Sequence, residues 1–309
     1  MTDPADAIVR KGWLVNAMAT VVLWGVWGAF SGLSPQRGFP ETLVYCVWSL
    51  TMIPPALIVM GLAGWKLDRS PAAIAYGLVI GLLGAGGQMV LFYAVTKGPP
   101  YLIFPVISLS PCVTIAMSFA LLGERTTRRG AFGIVLALLA LPTFDFSFGG
   151  SAGDQGIGWF MLALIVMLCW GVQAYFIKAA NARMSGESIF FYMMLTGLML
   201  APVAWLMTDF SKPVNMGLDG PWLAAAIQML NAIGALTLVF AFRYGKAIVV
   251  APLTNAGAPL VTALISLAVI GTVPGPLKVV GLVLALIASL LLAMEPEAPA
   301  EPHTDAVLA

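Results

Sequence analysis

Long apolar segments separated by short polar ones dominate this sequence. Each apolar segment is close to the ~20 residues that an α-helix needs to cross the ~30 Å hydrocarbon core of a bilayer. Lipid cannot hydrogen-bond to a bare backbone, so segments of this kind are predicted to be helices. Ten spans are predicted, at residues 13–33, 41–62, 72–93, 99–122, 129–148, 157–179, 188–208, 220–242, 247–271 and 275–294.

The composition agrees with an integral membrane protein. Of the 309 residues, 60% are hydrophobic and 9% are charged, whereas a soluble domain carries about 25% charged residues. The mean hydropathy of +0.96 indicates that a lipid bilayer covers most of the surface. The net charge of +1 provides no strong field that would attract nucleic acid. The predicted fold class is all-α integral membrane, with ten transmembrane helices.

Basic residues fall unevenly on the loops between the predicted spans. One side receives eleven of them: Arg10, Lys11, Lys66, Arg69, Arg125, Arg128, Arg129, Lys178, Arg183, Arg243 and Lys246. The other side receives four: Arg37, Lys97, Lys212 and Lys278. Because cytoplasmic loops carry the excess of Lys and Arg, both termini are predicted to be cytoplasmic, in a multi-pass protein of a bacterial inner membrane.

The chain contains an internal repeat. Residues Leu23–Val26 (LWGV) of span 1 match Cys169–Val172 (CWGV) of span 6 at an offset of 146 positions. Further pairs, offset by 147 or 148 positions, are Pro105 with Pro252, Pro111 with Pro259, and Gly123 with Gly271. Five spans per repeat is an odd number, so the second repeat is inverted, as in many transporters. The predicted units are a first five-helix repeat at 1–149, a second inverted repeat at 150–294 and a cytoplasmic polar tail at 295–309.

Several of these segments resemble the drug/metabolite transporter superfamily, specifically its EamA-type ten-helix members. The matching residues are Leu23-Trp24-Gly25, Leu109-Ser110-Pro111, Gly123-Glu124-Arg125 and Gly133. The resemblance implies membrane transport, with spans 5 and 10 peripheral and the other eight around a cavity. The second repeat departs from the pattern, because Gly271-Thr272-Val273 replaces the Gly-Glu-Arg ending. Glu124, beside three arginines, is interpreted as part of a solvated loop.

A polar and aromatic stripe along span 1 is the strongest signal for a site. Asn16, Thr20, Trp24, Trp27 and Ser31 fall within an arc of about 80° on a helix. Such a stripe is unfavourable against lipid, so it is predicted either to line a cavity or to pack against another helix. The predicted substrate-binding residues, drawn from spans 1, 3, 6, 8 and 9, are Trp24, Trp27, Gln88, Trp170, Gln173, Gln228, Asn231 and Asn255. For the amides, the alternative is hydrogen bonding between helices.

Spans 4 and 9 carry paired prolines inside their apolar runs. Proline leaves a backbone carbonyl free and kinks a helix. Ser108, Ser110, Thr254 and Asn255 lie beside these prolines and are expected either to bond the freed carbonyls or to meet a ligand. Both gating kinks and purely structural kinks are compatible with the pattern.

The residue types that the spans lack restrict the function. No Asp or Glu lies near the middle of any predicted span, although an intramembrane carboxylate is the usual proton carrier of coupled antiporters. Mid-span Lys and Arg, which would bind phosphate groups, are also lacking. The single His303 lies in the tail, and Cys46, Cys112 and Cys169 are widely spaced. Neither a metal or cofactor site nor a catalytic group of an enzyme is therefore predicted.

The favoured hypothesis is a secondary transporter for a small neutral, zwitterionic or cationic metabolite, with amino-acid efflux as the first expectation. Uptake of a choline-like quaternary ammonium compound and flipping of a lipid-linked intermediate are the alternatives. Assembly into a homo-oligomer is left open.

Overall fold

The structure is a computed structural model that describes residues 12–97, 103, 106–145, 158–265, 268–269 and 275–295. Helices lie at all ten predicted spans, which confirms that prediction, and eight of them are long and apolar enough to cross a membrane. The helices are Gly12–Phe30 with Leu33–Gln36 (span 1), Glu41–Thr51 with Ile53–Leu62 (span 2), Pro71–Lys97 (span 3), Ser110–Leu121 (span 4), Arg128–Asp145 (span 5), Gly158–Asn181 (span 6), Gly186–Leu206 (span 7), Leu218–Trp222 with Leu223–Tyr244 (span 8), Ala247–Ile265 (span 9) and Pro276–Ala293 (span 10). The predicted boundary at 149–150, Pro105, the segment 271–273 and the tail beyond Glu295 lie outside the described residues.

The prolines of spans 4 and 9 differ in position. Pro111 lies in the first turn of its helix, where a missing N–H group removes no helical hydrogen bond. Pro252 and Pro259 instead lie inside the continuous helix Ala247–Ile265. Thr254 Oγ1 donates to Val250 O at 2.9 Å, and Asn255 Nδ2 donates to Ala251 O at 2.9 Å. The polar neighbours of Pro252 therefore bond carbonyls of their own helix.

The repeat has a direct counterpart in helix packing. Span 1 packs on spans 8 and 9, and span 6 packs on the equivalent spans 3 and 4. Thr262 Oγ1 of span 9 donates to Gly25 O at 2.8 Å. Thr114 Oγ1 of span 4 donates to Gly171 O at 2.9 Å. The two threonines are 148 positions apart and the two glycines 146, so one hydrogen bond between helices recurs in each half.

We call the membrane face at which spans 1, 3, 5, 7 and 9 begin the proximal face, and the other the distal face. Asn181, at the end of span 6, donates to Val239 O near the proximal end of span 8 at 3.0 Å, so span 6 runs opposite to span 1. At the distal face, Ser34 Oγ donates to Gly220 O at 2.9 Å. A single buried apolar cluster near the proximal face joins side chains from both repeats.

Spans 5 and 10 pack against each other and present apolar side chains outward. A β-carbon on Gly133 would lie 3.1 Å from Leu291 Cβ, so the two helices are in close contact there. Val280, Val283 and Leu290 of span 10 are exposed at the molecular surface. An exposed apolar helix face of this kind is suited to lipid.

The structure corrects the prediction that Glu124 belongs to a solvated loop. Its carboxylate accepts hydrogen bonds from the backbone N–H groups of Ala247 and Ile248, both at 3.0 Å. These residues begin span 9, where the first N–H groups of a helix lack internal partners. Gly123, with φ of 66°, ends span 4 in the left-handed conformation that places Glu124 there. The solvated-loop interpretation was wrong, because this side chain joins the first repeat to the second.

Glu295 was assigned to the polar tail, yet its side chain is only 1% exposed. It accepts hydrogen bonds from Thr127 N at 2.8 Å and Thr127 Oγ1 at 2.6 Å, and it lies 3.4 Å from Lys246 Nζ. Burial raises the pKa of Glu295, but the bonds from Thr127 and the charge of Lys246 outweigh it and lower the pKa below its ordinary value. The end of span 10 is thereby attached to the start of span 5.

Candidate functional site

Trp24 lies directly on the backbone of span 8. Its Nε1 donates to Asn231 O at 3.3 Å. A β-carbon on Gly234 would lie 2.5 Å from Trp24 Cδ1, so only glycine leaves room for the ring at this point. The indole is partly buried and satisfied by a backbone carbonyl, which fixes its position between the first and second repeats.

One turn further along span 1, Trp27 meets two amides of span 8. Trp27 Nε1 donates to Gln228 Oε1 at 3.2 Å. Asn231 Nδ2 donates to the same oxygen at 3.3 Å. Gln228 is only 5% exposed, so the pair of donors holds its carbonyl in a largely dry environment. Four of the eight predicted site residues are therefore brought together between spans 1 and 8.

Thr20 extends this contact toward the proximal face. Its hydroxyl lies 2.8 Å from that of Thr237 and 3.3 Å from Gly234 O. Thr20 is fully buried, and it belongs to the stripe predicted on span 1. The stripe thus faces span 8 along several turns, which combines the two alternatives considered for it: its residues pack on a helix and border the amide cluster.

The second half builds a related contact between spans 6 and 3. Trp170 Nε1 donates to Gly84 O at 3.4 Å, and a β-carbon on Gly87 would lie 2.7 Å from the same nitrogen. Gln173 packs so closely on Gly84 that a β-carbon there would collide with its amide. The structure therefore brings Trp170 and Gln173 together against the glycines of span 3.

Gln88 and Asn255 are not joined to either cluster by a hydrogen bond. Gln88 lies one helical turn beyond Gly84 and is partly exposed. Asn255 uses its Nδ2 on Ala251 O within span 9. The placement of these two side chains is compatible with a cavity wall, but they remain predictions as substrate contacts.

The amides provide hydrogen-bonding groups without charge. In the described part of the chain, the side chains of Gln88 and Gln173 have no hydrogen-bond partner, and both are partly exposed. Nε2 of Gln228 and Oδ1 of Asn231 likewise lack partners among the described residues. Polar groups left free between membrane helices are satisfied by water or by a ligand. Over the same residues no three His, Cys, Asp or Glu side chains group as metal ligands.

Trp48 of span 2 is a candidate that the sequence pattern did not indicate. It packs with Trp24 against one apolar cluster that includes Ala232 and Ala235 of span 8. Its Nε1 is buried and has no hydrogen-bond partner among the described residues. Trp48 sits in a continuous apolar run, so no polar periodicity marked it; an indole in mid-span was the only available signal.

Comparisons with known proteins agree with this architecture. The model of a family described as EamA-like transporters matches residues 11–142 and 157–294. A solved crystal structure has a TM-score of 0.75 and 19% sequence identity, covering 92% of this chain and 98% of its own; that likeness concerns the fold alone.

Two curated proteins show weaker similarity. An uncharacterised protein of Methanocaldococcus jannaschii is 31% identical over 74 residues, which cover 24% of this chain and 54% of that protein. A probable potassium transport system protein, Kup, of Pseudomonas fluorescens is 24% identical over 223 residues, which cover 62% of this chain and 35% of that protein. The chain thus spans about half of the first relative and about a third of the second.

Proposed function

This chain belongs to the EamA-like transporter family of the drug/metabolite transporter superfamily, and from that premise we propose that it moves a small neutral, zwitterionic or cationic metabolite across a bacterial inner membrane. Amino-acid efflux is the first candidate. The proximal face, which carries the excess of basic residues, is assigned to the cytoplasm.

The observation that carries the proposal is the uncharged aromatic and amide cluster between the repeats. Trp24 and Trp27 come from the first repeat, and Gln228 and Asn231 come from the second. A ligand held here contacts both halves, so relative movement of the halves changes its access to each side of the membrane. Hydrogen-bonding groups without a net charge suit a solute that is itself neutral overall.

Two carboxylates join the repeats at the proximal ends of the helices. Glu124 of the first repeat holds the start of span 9, and Asp68 holds the start of span 7 through Ser185 N at 2.8 Å. Both contacts join segments of different repeats. Rocking of the halves toward an inward-open state would separate these carboxylates from the helix ends that they cap.

The test is transport by purified protein in liposomes loaded and diluted with radiolabelled L-amino acids, choline and simple amines. Trp24→Ala is expected to lower the rate for a transported compound about tenfold or more, and Gln173→Ala about threefold, because each removes a contact to the ligand. Trp205→Ala, which alters a side chain that is 51% exposed at the distal end of span 7, is the matched control. Unchanged transport by both site variants would contradict the assignment of the cavity.

A choline-like substrate is the second candidate, and the two tryptophans of span 1 favour it. Trp24 and Trp27 lie one turn apart, partly buried, where indole faces attract a quaternary ammonium group by cation–π contact. The same liposomes separate the candidates, since choline uptake that no amino acid competes with would select the second.

A further inference from the structure

We propose that Trp27 is a positioning residue, whose indole N–H fixes the orientation of the Gln228 and Asn231 amides so that the site binds a hydrogen-bond acceptor and a donor side by side. This inference rests on the proposed function, and it assigns to Trp27 a role different from the direct substrate contact that the sequence predicts. Two hydrogen bonds to one oxygen, which we call the relay, carry this effect. Trp27 Nε1 donates to Gln228 Oε1 at 3.2 Å, and Asn231 Nδ2 donates to the same oxygen at 3.3 Å.

The indole determines which amide atom is which. An indole N–H group only donates, so the Gln228 atom beside it must be the carbonyl oxygen. That oxygen in turn requires a donor from Asn231, because the flipped amide would place two oxygens 3.3 Å apart. A single fixed donor on span 1 thereby sets the orientation of two amides on span 8.

The amide groups of Gln228 and Asn231 that take no part in these hydrogen bonds are available to a ligand. Gln228 presents its amide N–H groups, and Asn231 presents its carbonyl oxygen, without partners among the described residues. A ligand with an acceptor next to a donor satisfies both groups, as an α-carboxylate beside an α-ammonium does. A ligand lacking either group leaves a buried amide unpaired, which is the costly case in a site of low polarity. A quaternary ammonium has no N–H group for Asn231.

The relay occurs in only one half of the molecule. Gln173 of span 6 occupies the position equivalent to Trp27, and Gly81 and Gly84 of span 3 are equivalent to Gln228 and Asn231. The second half has no indole–amide chain at these positions. The head group of the ligand is therefore bound by the amides of span 8, which Trp27 of span 1 orients.

The experiment uses three probes that share one aromatic ring: L-phenylalanine, 2-phenylethylamine and 3-phenylpropionate. Initial rates in proteoliposomes are expected to favour L-phenylalanine over the other two by about tenfold or more in kcat/KM. Trp27→Phe retains a ring and loses the N–H donor, and it should reduce this preference to about threefold or less, mainly through KM. Gln228→Glu offers only acceptors to the ligand and should invert the ranking in favour of 2-phenylethylamine.

Two controls keep the outcomes distinct. Trp205→Phe, at the exposed distal end of span 7, should change neither the rate nor the ranking. The ¹⁵N-indole NMR signal of Trp27, assigned by its disappearance in Trp27→Phe, should shift upfield and exchange faster in Gln228→Leu.

If the wild type transports L-phenylalanine and Trp27→Phe keeps its full preference, the positioning role is overturned while the proposed function stands. If the wild type transports none of the three probes, the proposed function fails for these substrates. The relay is then decided by the NMR signal alone, and an unmoved Trp27 signal in Gln228→Leu overturns it.

Discussion

Two interfaces related by the internal repeat, span 1 on span 8 and span 6 on span 3, share a backbone arrangement and differ in chemistry. In each interface, a tryptophan indole donates a hydrogen bond to a backbone carbonyl of the facing helix. Trp24 donates to Asn231 O at 3.3 Å, and Trp170 donates to Gly84 O at 3.4 Å. Each indole lies on a glycine, Gly234 or Gly87, that has no room for a side chain. The polar groups beyond the tryptophans are not shared.

The difference shows which features an inverted repeat must keep and which it is free to change. Close helix contacts depend on glycines at equivalent positions, because the backbones approach too closely for a β-carbon there. We propose that the amides bind a ligand rather than a neighbouring backbone, and in that role they need occur only once. Gln228 and Asn231 on span 8 correspond by the repeat to Gly81 and Gly84 on span 3.

Loops of the first repeat bond to loops of the second at both membrane faces, and these contacts also differ in chemistry. Asp68 accepts from Ser185 N and Ser185 Oγ, both at 2.8 Å, at the proximal face. At the distal face, Asn215 N donates to Gly38 O at 3.0 Å, and these residues are 147 positions from Asp68 and Ser185 respectively. A side-chain carboxylate contact on one side thus corresponds to a backbone hydrogen bond on the other.

The largest expected effect comes from breaking the shared helix contacts. Gly171→Ala should lower the free energy of unfolding by roughly 1–3 kcal/mol, because the new β-carbon would lie 2.6 Å from the backbone oxygen of Ser110. Gly25→Ala should cost a similar amount, because the new β-carbon would collide with the Cβ of Val261. Gly86→Ala, with open space around it, is the matched control and should be neutral or slightly stabilising. Thermal unfolding in detergent measures all three variants. If Gly171→Ala and Gly25→Ala melted at the same temperature as Gly86→Ala, the close helix contacts at Gly171 and Gly25 would be contradicted.

A smaller effect, on transport rather than stability, distinguishes the two halves of the candidate site. Gln228→Leu should reduce kcat/KM about tenfold or more, because it removes both the ligand donor and the partner of Trp27. Gln173→Leu should reduce it about threefold, since Gln173 has no hydrogen-bond partner among the described residues and supplies one contact at most. Initial rates in liposomes compare them directly. An equal loss in both variants would show that the halves contribute alike.

The contrast between the two loop contacts predicts a response to acid. Burial raises the pKa of Asp68, but hydrogen bonds from Ser185, together with the charge of Arg243, lower it below its ordinary value. Its contribution is therefore present above the ordinary pKa of 3.8 and is lost as the pH falls through the lower value in the folded protein. At pH 7, Asp68→Asn should lower the free energy of unfolding by about 1 kcal/mol.

The matched variant for this acid response is Thr42→Val at the distal face, which removes the contact between the hydroxyls of Thr42 and Thr208, 2.7 Å apart. Its effect should not depend on pH, because neither hydroxyl titrates in this range. Unfolding measured between pH 3 and pH 7 should show a smaller gap between the Asp68→Asn variant and the wild type at the acid end. A gap between them that stays constant across this range would show that the Asp68 carboxylate is not what holds span 7.

Much of the fold could be predicted from the sequence, because each span that crosses lipid must itself be long and apolar. Contacts between distant helices leave no such local mark on the sequence. Trp27 and Gln228 are 201 positions apart, and no local pattern states that the indole donates to that amide. Residue type alone identified both as candidates, whereas the proposed division into a positioning side chain and a ligand-binding one required the hydrogen bond between them.

The missed residues have the same explanation. The carboxylate of Glu124 looks solvated beside its arginines until span 9 is placed with its free N–H groups against it. Glu295 belongs to a polar stretch in the sequence, and only the packing of span 10 on span 5 brings it to Thr127. The free backbone groups at helix ends are bonded by residues that only the tertiary structure brings near, so sequence patterns do not predict these partners.

The smallest expected effect is a symmetric one, and it tests the shared part of the comparison. Trp24→Phe and Trp170→Phe each remove one indole hydrogen bond to a carbonyl, at 3.3 Å and 3.4 Å, and keep an aromatic ring on the same glycine. Bonds of this length contribute at the lower end of the usual range, so each variant should lose about 0.5–1 kcal/mol of unfolding free energy. Because the two contacts share no partner, the double variant should lose the sum. Thermal unfolding of the four proteins measures this, and a clearly larger loss at Trp24 would mean that the amide cluster also depends on it.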